Sequence, residues 1–265
     1  EEGFLGGFDS RGVRLIACSG AGGGCGLSSV AIGIGRELAA YNGRRTLYLS
    51  LESLEADALC VTGGGRDIGD FIYMLMRERR GDMGLFLESC LHKDSYGLER
   101  FYPSKGVNDL SRVSGAELRA FLDALAGSGR FDVIVLDMGG SVRDGLRGLA
   151  GLCSASVIVE NGAVADAGKS RKARLLMEGC LPEGAVSVNV RNMIRRETLS
   201  AGEGDDGGDE PARPCGDGGE EDGDVEIGFD EAGFRTCGGT VDFVLSNEFG
   251  AGVKEITDRL LKGLD

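Results

Sequence analysis

Tryptophan is absent from this 265-residue chain, histidine occurs once (His92), and proline occurs four times. With 11 Phe and five Tyr as the aromatic bulk, the core must be built mainly from aliphatic side chains. The eight cysteines (Cys18, Cys25, Cys60, Cys90, Cys153, Cys180, Cys215 and Cys237) include no Cys-x-x-Cys pair. Together with a single His, that excludes the usual zinc-ligand spacing. Thiols scattered through apolar stretches read as reduced core residues of a cytosolic protein. No apolar run approaches the roughly 18 residues of a membrane span, and no secretory leader is visible. The expectation is a cytoplasmic chain without a transmembrane segment. The sequence opens on Glu1, which leaves room for a domain ahead of it.

Glycine is abundant, at 47 residues, and 43 acidic side chains outnumber 29 basic ones, giving a net charge of −14. The charge is local. Residues 201–231 hold 13 acids against Arg213 alone, which leaves the rest of the chain close to neutral. That stretch is rich in Gly and Asp and poor in side chains to bury. It cannot offset its ordering entropy and reads as a solvated, flexible insertion. Its charge also argues against binding to phosphate surfaces. The best basic cluster, Arg191, Arg195 and Arg196, directly precedes it, so no strong nucleic-acid binding is expected.

The remainder alternates between strand and helix patterns. Residues 13–18, 46–51, 131–137, 155–160 and 185–190 are apolar runs of strand length, with shorter strands expected at 96–102 and 240–245. Helical spacing appears at 28–41, 67–80, 144–153, 164–179 and 251–263, and Ser114 with Glu117 forms a capping box for a helix reaching about residue 125. Such alternation predicts an α/β fold of three layers, αβα, with a mostly parallel central sheet. One domain is expected over residues 13–265, after a tail or linker at 1–12.

The loop after the first strand is the most informative segment. Gly22, Gly23, Gly24, Cys25, Gly26, Leu27, Ser28 and Ser29 join a strand to a helix. Consecutive glycines there let backbone N–H groups gather at a helix N-terminus, an arrangement that attracts phosphate. An ordinary P-loop places a Lys before its Ser/Thr. Here that place is Leu27, while Ser28 keeps a hydroxyl suited to Mg²⁺.

On these residues the chain resembles the ParA/MinD-type ATPases, whose loop reads KGGxGK[ST][ST]. GGGCGLSS keeps Gly23, Gly24, Gly26 and the Ser28–Ser29 pair but replaces both lysines, with Gly22 and Leu27. The resemblance implies that Asp137, ending FDVIVLD, occupies the Mg²⁺-holding position. It also implies that Ser50 and Glu52 stand where the family has an Asp-x-Asp motif, and that an Asn at the end of a late strand, Asn189 or Asn192, reads adenine. LYLSLES, GLERFYPSKGVNDL and NEFGAGVKEI are most similar to the CpaE branch, associated with Tad/Flp pilus assembly or positioning.

The resemblance therefore implies ATP or ADP with Mg²⁺, bound weakly or not at all, and a homodimer working with protein partners of a pilus or polar machine, peripheral to the membrane through them. Loss of both lysines removes charge from the phosphates, and loss of one such contact costs about 2–4 kcal/mol in the transition state. Hydrolysis is not expected. Lys169, Arg171 and Lys172 are candidates for supplying charge from elsewhere. Two other functions compete: an active ATPase with rescued chemistry, and a dinucleotide-binding protein in which Glu52 would hold a ribose. The last helix carries Val253, Ile256, Leu260, Leu261 and Leu264 on one face with balanced charges, which predicts core packing rather than membrane binding.

Overall fold

The computed structural model describes residues 12–54, 61, 64–77, 83–104, 106–139, 148–162, 167–194, 223–228, 230, 233–237 and 240–264. The expected tail (apart from its last residue, Gly12), residues 144–147 of the helix expected at 144–153, Arg195, Arg196 and residues 201–222, 229 and 231 of the acidic stretch lie outside them.

Strand β1 (Arg14–Gly20) stands at the middle of an eight-stranded sheet. It leads into helix α1 (Leu27–Ala40) and then β2 (Thr46–Ser50). Helices α2 (Ile68–Met76) and α3 (Met83–Cys90) precede two short strands, β3 (Leu91–Lys93) and β4 (Glu99–Phe101). Helix α4 (Gly115–Gly127) leads to β5 (Val133–Asp137), and β6 (Ala155–Asn161) follows. Helix α5 (Ala167–Glu178), β7 (Val186–Ile194), β8 (Val225–Gly228), β9 (Phe234–Cys237), β10 (Thr240–Phe243) and α6 (Glu248–Leu264) complete the order.

The sheet runs β3-β4-β2-β5-β1-β6-β7-β8, and every neighbouring pair is parallel except β3 with β4. β1 lies between β5 and β6, so the chain crosses away from it after α1 and returns past it after β5. This is a topological switch point, where loops splay apart at the carboxyl ends of the strands and leave a crevice.

Alternation within the strands divides the core. Ile16 and Cys18 of β1 face α1 and α6 together with Val133, Val135, Val157, Val159, Val188 and Val190. Leu15 and Ala17 face the opposite layer, where Phe71, Leu122, Leu125 and Met177 pack. The expected three-layer αβα arrangement is the observed one. Phe249, Val253, Ile256 and Leu260 of α6 are all buried against the first face, each contributing about 1.5–3 kcal/mol. The last helix is therefore a core element. Two helices begin on capping boxes: Ser114 with Glu117 for α4, as expected, and Asp67 with Asp70 for α2.

Three expectations require correction. Residues 225–228, the end of the supposed insertion, form edge strand β8, because Val225 and Ile227 alternate into the core. The strand at 240–243 lies outside the main sheet and pairs antiparallel with β9. The strand expected at 96–102 shortens to Glu99–Phe101.

The β9–β10 hairpin is tied to the body through Arg36 of α1, whose side chain is 1% exposed. Its guanidinium reaches Asp94 at 2.7 Å, Asp242 at 2.8 Å and the carbonyl of Phe243 at 2.6 Å. It also lies 4.7 Å from the ring centroids of both Tyr96 and Phe243. Removing one partner of a buried pair strands the other charge. Arg36→Met is expected to lower stability by about 3 kcal/mol or more in urea unfolding; a loss below about 1 kcal/mol would show that the hairpin docks without it.

Candidate functional site

The loop between β1 and α1 opens at the switch point. Gly20 N–H donates to the Gly139 carbonyl at 3.1 Å and Ala21 N–H to the Val159 carbonyl at 2.9 Å, so β5 and β6 hold the loop's entry. Gly23 and Gly24 are exposed, Gly22 and Gly26 half-buried, and Cys25 buried. Gly26 caps α1 with φ of 77°, a left-handed conformation that suits a residue without Cβ. Space enforces the same choice, because a Cβ on Gly26 would run into the Asn192 amide and come within 3.0 Å of the Met193 methyl.

Asn192 is a main fastening of the loop. Its Nδ2 donates to the Cys25 carbonyl at 2.9 Å, and its own carbonyl accepts from Gly162 N–H at 2.6 Å. The register of β7 against β8 shifts between Arg191 and Ile194, and Met193 takes φ of 61°, rare for a residue with a side chain. Such a bulge re-aims the strand end, here toward the loop. Asn189 is placed elsewhere. It is three residues earlier and of opposite parity, so it leaves the sheet face that carries Val188, Val190 and the loop. Its Oδ1 is buried without a hydrogen-bond partner among the described residues.

Helix α1 has no side-chain cap and no acid in its first turn. Its first intrahelical backbone bond from this end is Val30 N–H to the Gly26 carbonyl at 3.0 Å. The N–H groups of Leu27, Ser28 and Ser29 therefore have no acceptor within the helix. Burial pushes the Cys25 thiol up, while backbone hydrogen bonding by Leu27, Cys25 itself and Gly22 pulls it back. The N–H groups that open α1 are the donors a bound anion would meet. Leu27 is 5% exposed and belongs to the core on the α1 face.

Asp137 ends β5 on that same face and is fully buried. One carboxylate oxygen accepts from Tyr48 Oη at 2.8 Å, the other from Gly139 N–H at 3.1 Å. Asp137 also helps burial push up the thiol of Cys18, its register partner on β1. Among the described residues, no cluster of three or more His, Cys, Asp or Glu side chains could hold a metal. The backbone cradle fits a polyphosphate. The Mg²⁺ set fits less well, because it reduces to the half-buried Ser28 and a carboxylate already held on both oxygens.

Ser50 is buried, its Oγ accepting from Glu52 N–H at 3.3 Å. Glu52 lies beside Gly139, where its Cγ is 3.1 Å from the place of a Cβ. β2 is separated from β1 by β5. A dinucleotide fold puts the acid-bearing strand next to β1, so the ribose role expected for Glu52 does not fit this strand order. Arg191 pairs with Glu226 at 3.0 Å and Glu160 at 3.4 Å. His92 stands on β3, at the far edge of the sheet. Among the thiols, Cys18, Cys25, Cys90 and Cys153 are buried and free.

Beside the cradle is a small, open pocket lined by Gly26, Ser29, Asn192, Met193, Asp230 and Phe249, among others. Sequence reasoning missed Met193, Asp230 and Phe249. Period-two alternation through Val188 and Val190 would have selected Asn192 over Asn189.

No family model matches the chain, and no curated protein matches it. Solved structures do. Cobyrinic acid a,c-diamide synthase from Mycobacterium smegmatis, with bound ADP and magnesium, aligns over 94% of this chain and 94% of its own with a TM-score of 0.52 and 15% identity. A ParA family ATPase from Chlorobium tepidum aligns over 68% of this chain and 73% of its own, with a TM-score of 0.51 and 18% identity. The MinC:MinD cell division protein complex from Aquifex aeolicus gives 69% of each chain, 0.51 and 18%. The chain has the fold of the ParA/MinD-type P-loop proteins. None of its described helices is long and apolar enough to cross a membrane.

Two substitutions test this geometry. Tyr48→Phe removes a hydrogen bond to a buried carboxylate and is expected to cost about 1.5–3 kcal/mol in unfolding experiments. Gly26→Ala combines left-handed strain with the clash at Asn192, so it should destabilise by more than the roughly 1 kcal/mol of the conformational penalty alone. A neutral result for either would show that the loop is not held as described.

Proposed function

We propose that this chain is a ParA/MinD-like pseudo-ATPase, binding ATP or ADP through the backbone of residues 22–29 and not hydrolysing it. The observation that carries the reading is the uncapped start of α1 at left-handed Gly26, on a fold shared with a synthase solved with ADP and magnesium. Amide dipoles there stabilise a polyphosphate without any charged side chain from the loop. The adjoining pocket is small and open. It offers the apolar Met193 and Phe249 together with the polar Asn192 and Asp230 to a nucleobase.

Hydrolysis is a separate demand. Phosphoryl transfer needs charge placed on the developing transition state and an oriented water. Leu27 supplies no charge, Gly22 has no side chain, and Ser50 uses its hydroxyl to accept from a backbone N–H. Mg²⁺ adds little here, since Asp137 is already occupied by Tyr48 and Gly139. Nucleotide then acts as a structural ligand, favouring one conformation or assembly over another. The resemblance to the CpaE branch extends the reading to a dimeric localisation or assembly factor for Tad/Flp pili.

Thermal unfolding with ligands tests the reading. At a hundredfold excess over Kd a ligand adds about 2.7 kcal/mol, roughly 5 °C or more for a chain of this size. ADP and ATP are expected to raise Tm with or without EDTA, NADH is not, and no phosphate should be released from ATP. Failure of both adenine nucleotides to shift Tm removes the binding claim. Steady phosphate release removes the pseudo-ATPase claim.

A further inference from the structure

Helix α5 begins beside the loop, and one of its side chains reaches over it. The ammonium of Lys169 lies 3.2 Å, and its Cε 3.9 Å, from the point where a Cβ on Gly22 would stand. Gly22 is one of the two loop positions that have lost a lysine. The bare glycine leaves space that a foreign cation has entered.

The start of a helix favours anions, yet α5 has no acid in its first turn and carries Lys169 there. Ion pairs surround the other end of this helix and the neighbouring strand. Arg174 pairs with Asp224 at 2.8 Å, and Arg191 pairs with Glu226 and Glu160. Lys169 is exposed, as a cation at the mouth of an open cradle should be. Arg171 and Lys172 are exposed on the same helix. Of the three candidates, Lys169 is the one whose charge is placed at the loop.

We propose that Lys169 is the cation of this anion site: delivered from α5 rather than from the loop, it pairs with the polyphosphate of a nucleotide held by residues 22–29. The inference rests on the nucleotide reading above. Lys169 is a binding residue here, supplying charge to the ground state. A flexible ammonium on a neighbouring helix also lets ligand occupancy report on the position of α5. Gly22 and Lys169 form a coupled pair, because a side chain at residue 22 would compete for the space the ammonium occupies.

The test is ADP binding by calorimetry on the full chain and on Lys169→Ala, Lys169→Arg and Lys172→Ala, with melting curves of each. A charged hydrogen bond of ordinary strength predicts that Lys169→Ala weakens ADP about tenfold or more. Its affinity should also depend less steeply on salt. Lys169→Arg should retain most of the affinity and Lys172→Ala all of it. Wild-type affinity in Lys169→Ala overturns the inference and leaves the nucleotide reading intact. Equal losses in Lys169→Ala and Lys172→Ala also overturn it, since they report general charge rather than a placed cation. Absence of ADP binding by the wild type overturns the nucleotide reading, and the inference with it.

Discussion

The left-handed turn at Gly26 fixes where helix α1 begins, and the Asn192 amide fixes the turn. Neither works alone. Without a Cβ at residue 26, the amide of β7 can approach closely enough to donate to the Cys25 carbonyl. Asn192 is in turn set by the bulge at Met193 and by Gly162 N–H on its own carbonyl. Strands β5, β6 and β7 therefore all hold one short loop, and each belongs to the packed sheet. Fastened in this way, amide dipoles that are each weak would act together on an anion with little ordering left to do at the moment of binding.

The same packing occupies the side chains around the loop. Leu27 lies in the core, Asp137 is held by Tyr48 and by the backbone, and Ser50 serves a strand end. Each of these is a satisfactory structural role. On the proposed reading, that combination separates binding from catalysis, because binding to backbone amides uses groups every residue has.

Much of the fold was legible in the residues, for a physical reason. Strands buried on both faces are continuous apolar runs, so β1, β2, β5 and β6 stand out, and the glycine loop between β1 and α1 marks the crevice. What escaped was short or half-exposed. Helix α3 buries only Leu87 and Cys90. β8 has two inward residues within an acidic, glycine-rich stretch, whose composition hid them. β9 and β10 flank Gly238–Gly239, a hairpin signal that went unused. At the site, the loop was readable and Asn192 and Lys169 were both candidates, but their contacts with it, like that of the Asn161 amide with the Gly24 carbonyl, join residues far apart in the chain. Only parity, through Val188 and Val190, could have chosen Asn192 over Asn189.

The central claim is that backbone amides after β1 form a ready-made seat for a polyphosphate. Backbone amide NMR of the full chain during an ADP titration tests it most directly. The account predicts that the largest shifts fall on the amides of residues 22–29, with the Asn192 side-chain amide following. Saturable shifts confined to another part of the fold, with those amides unmoved, would contradict it.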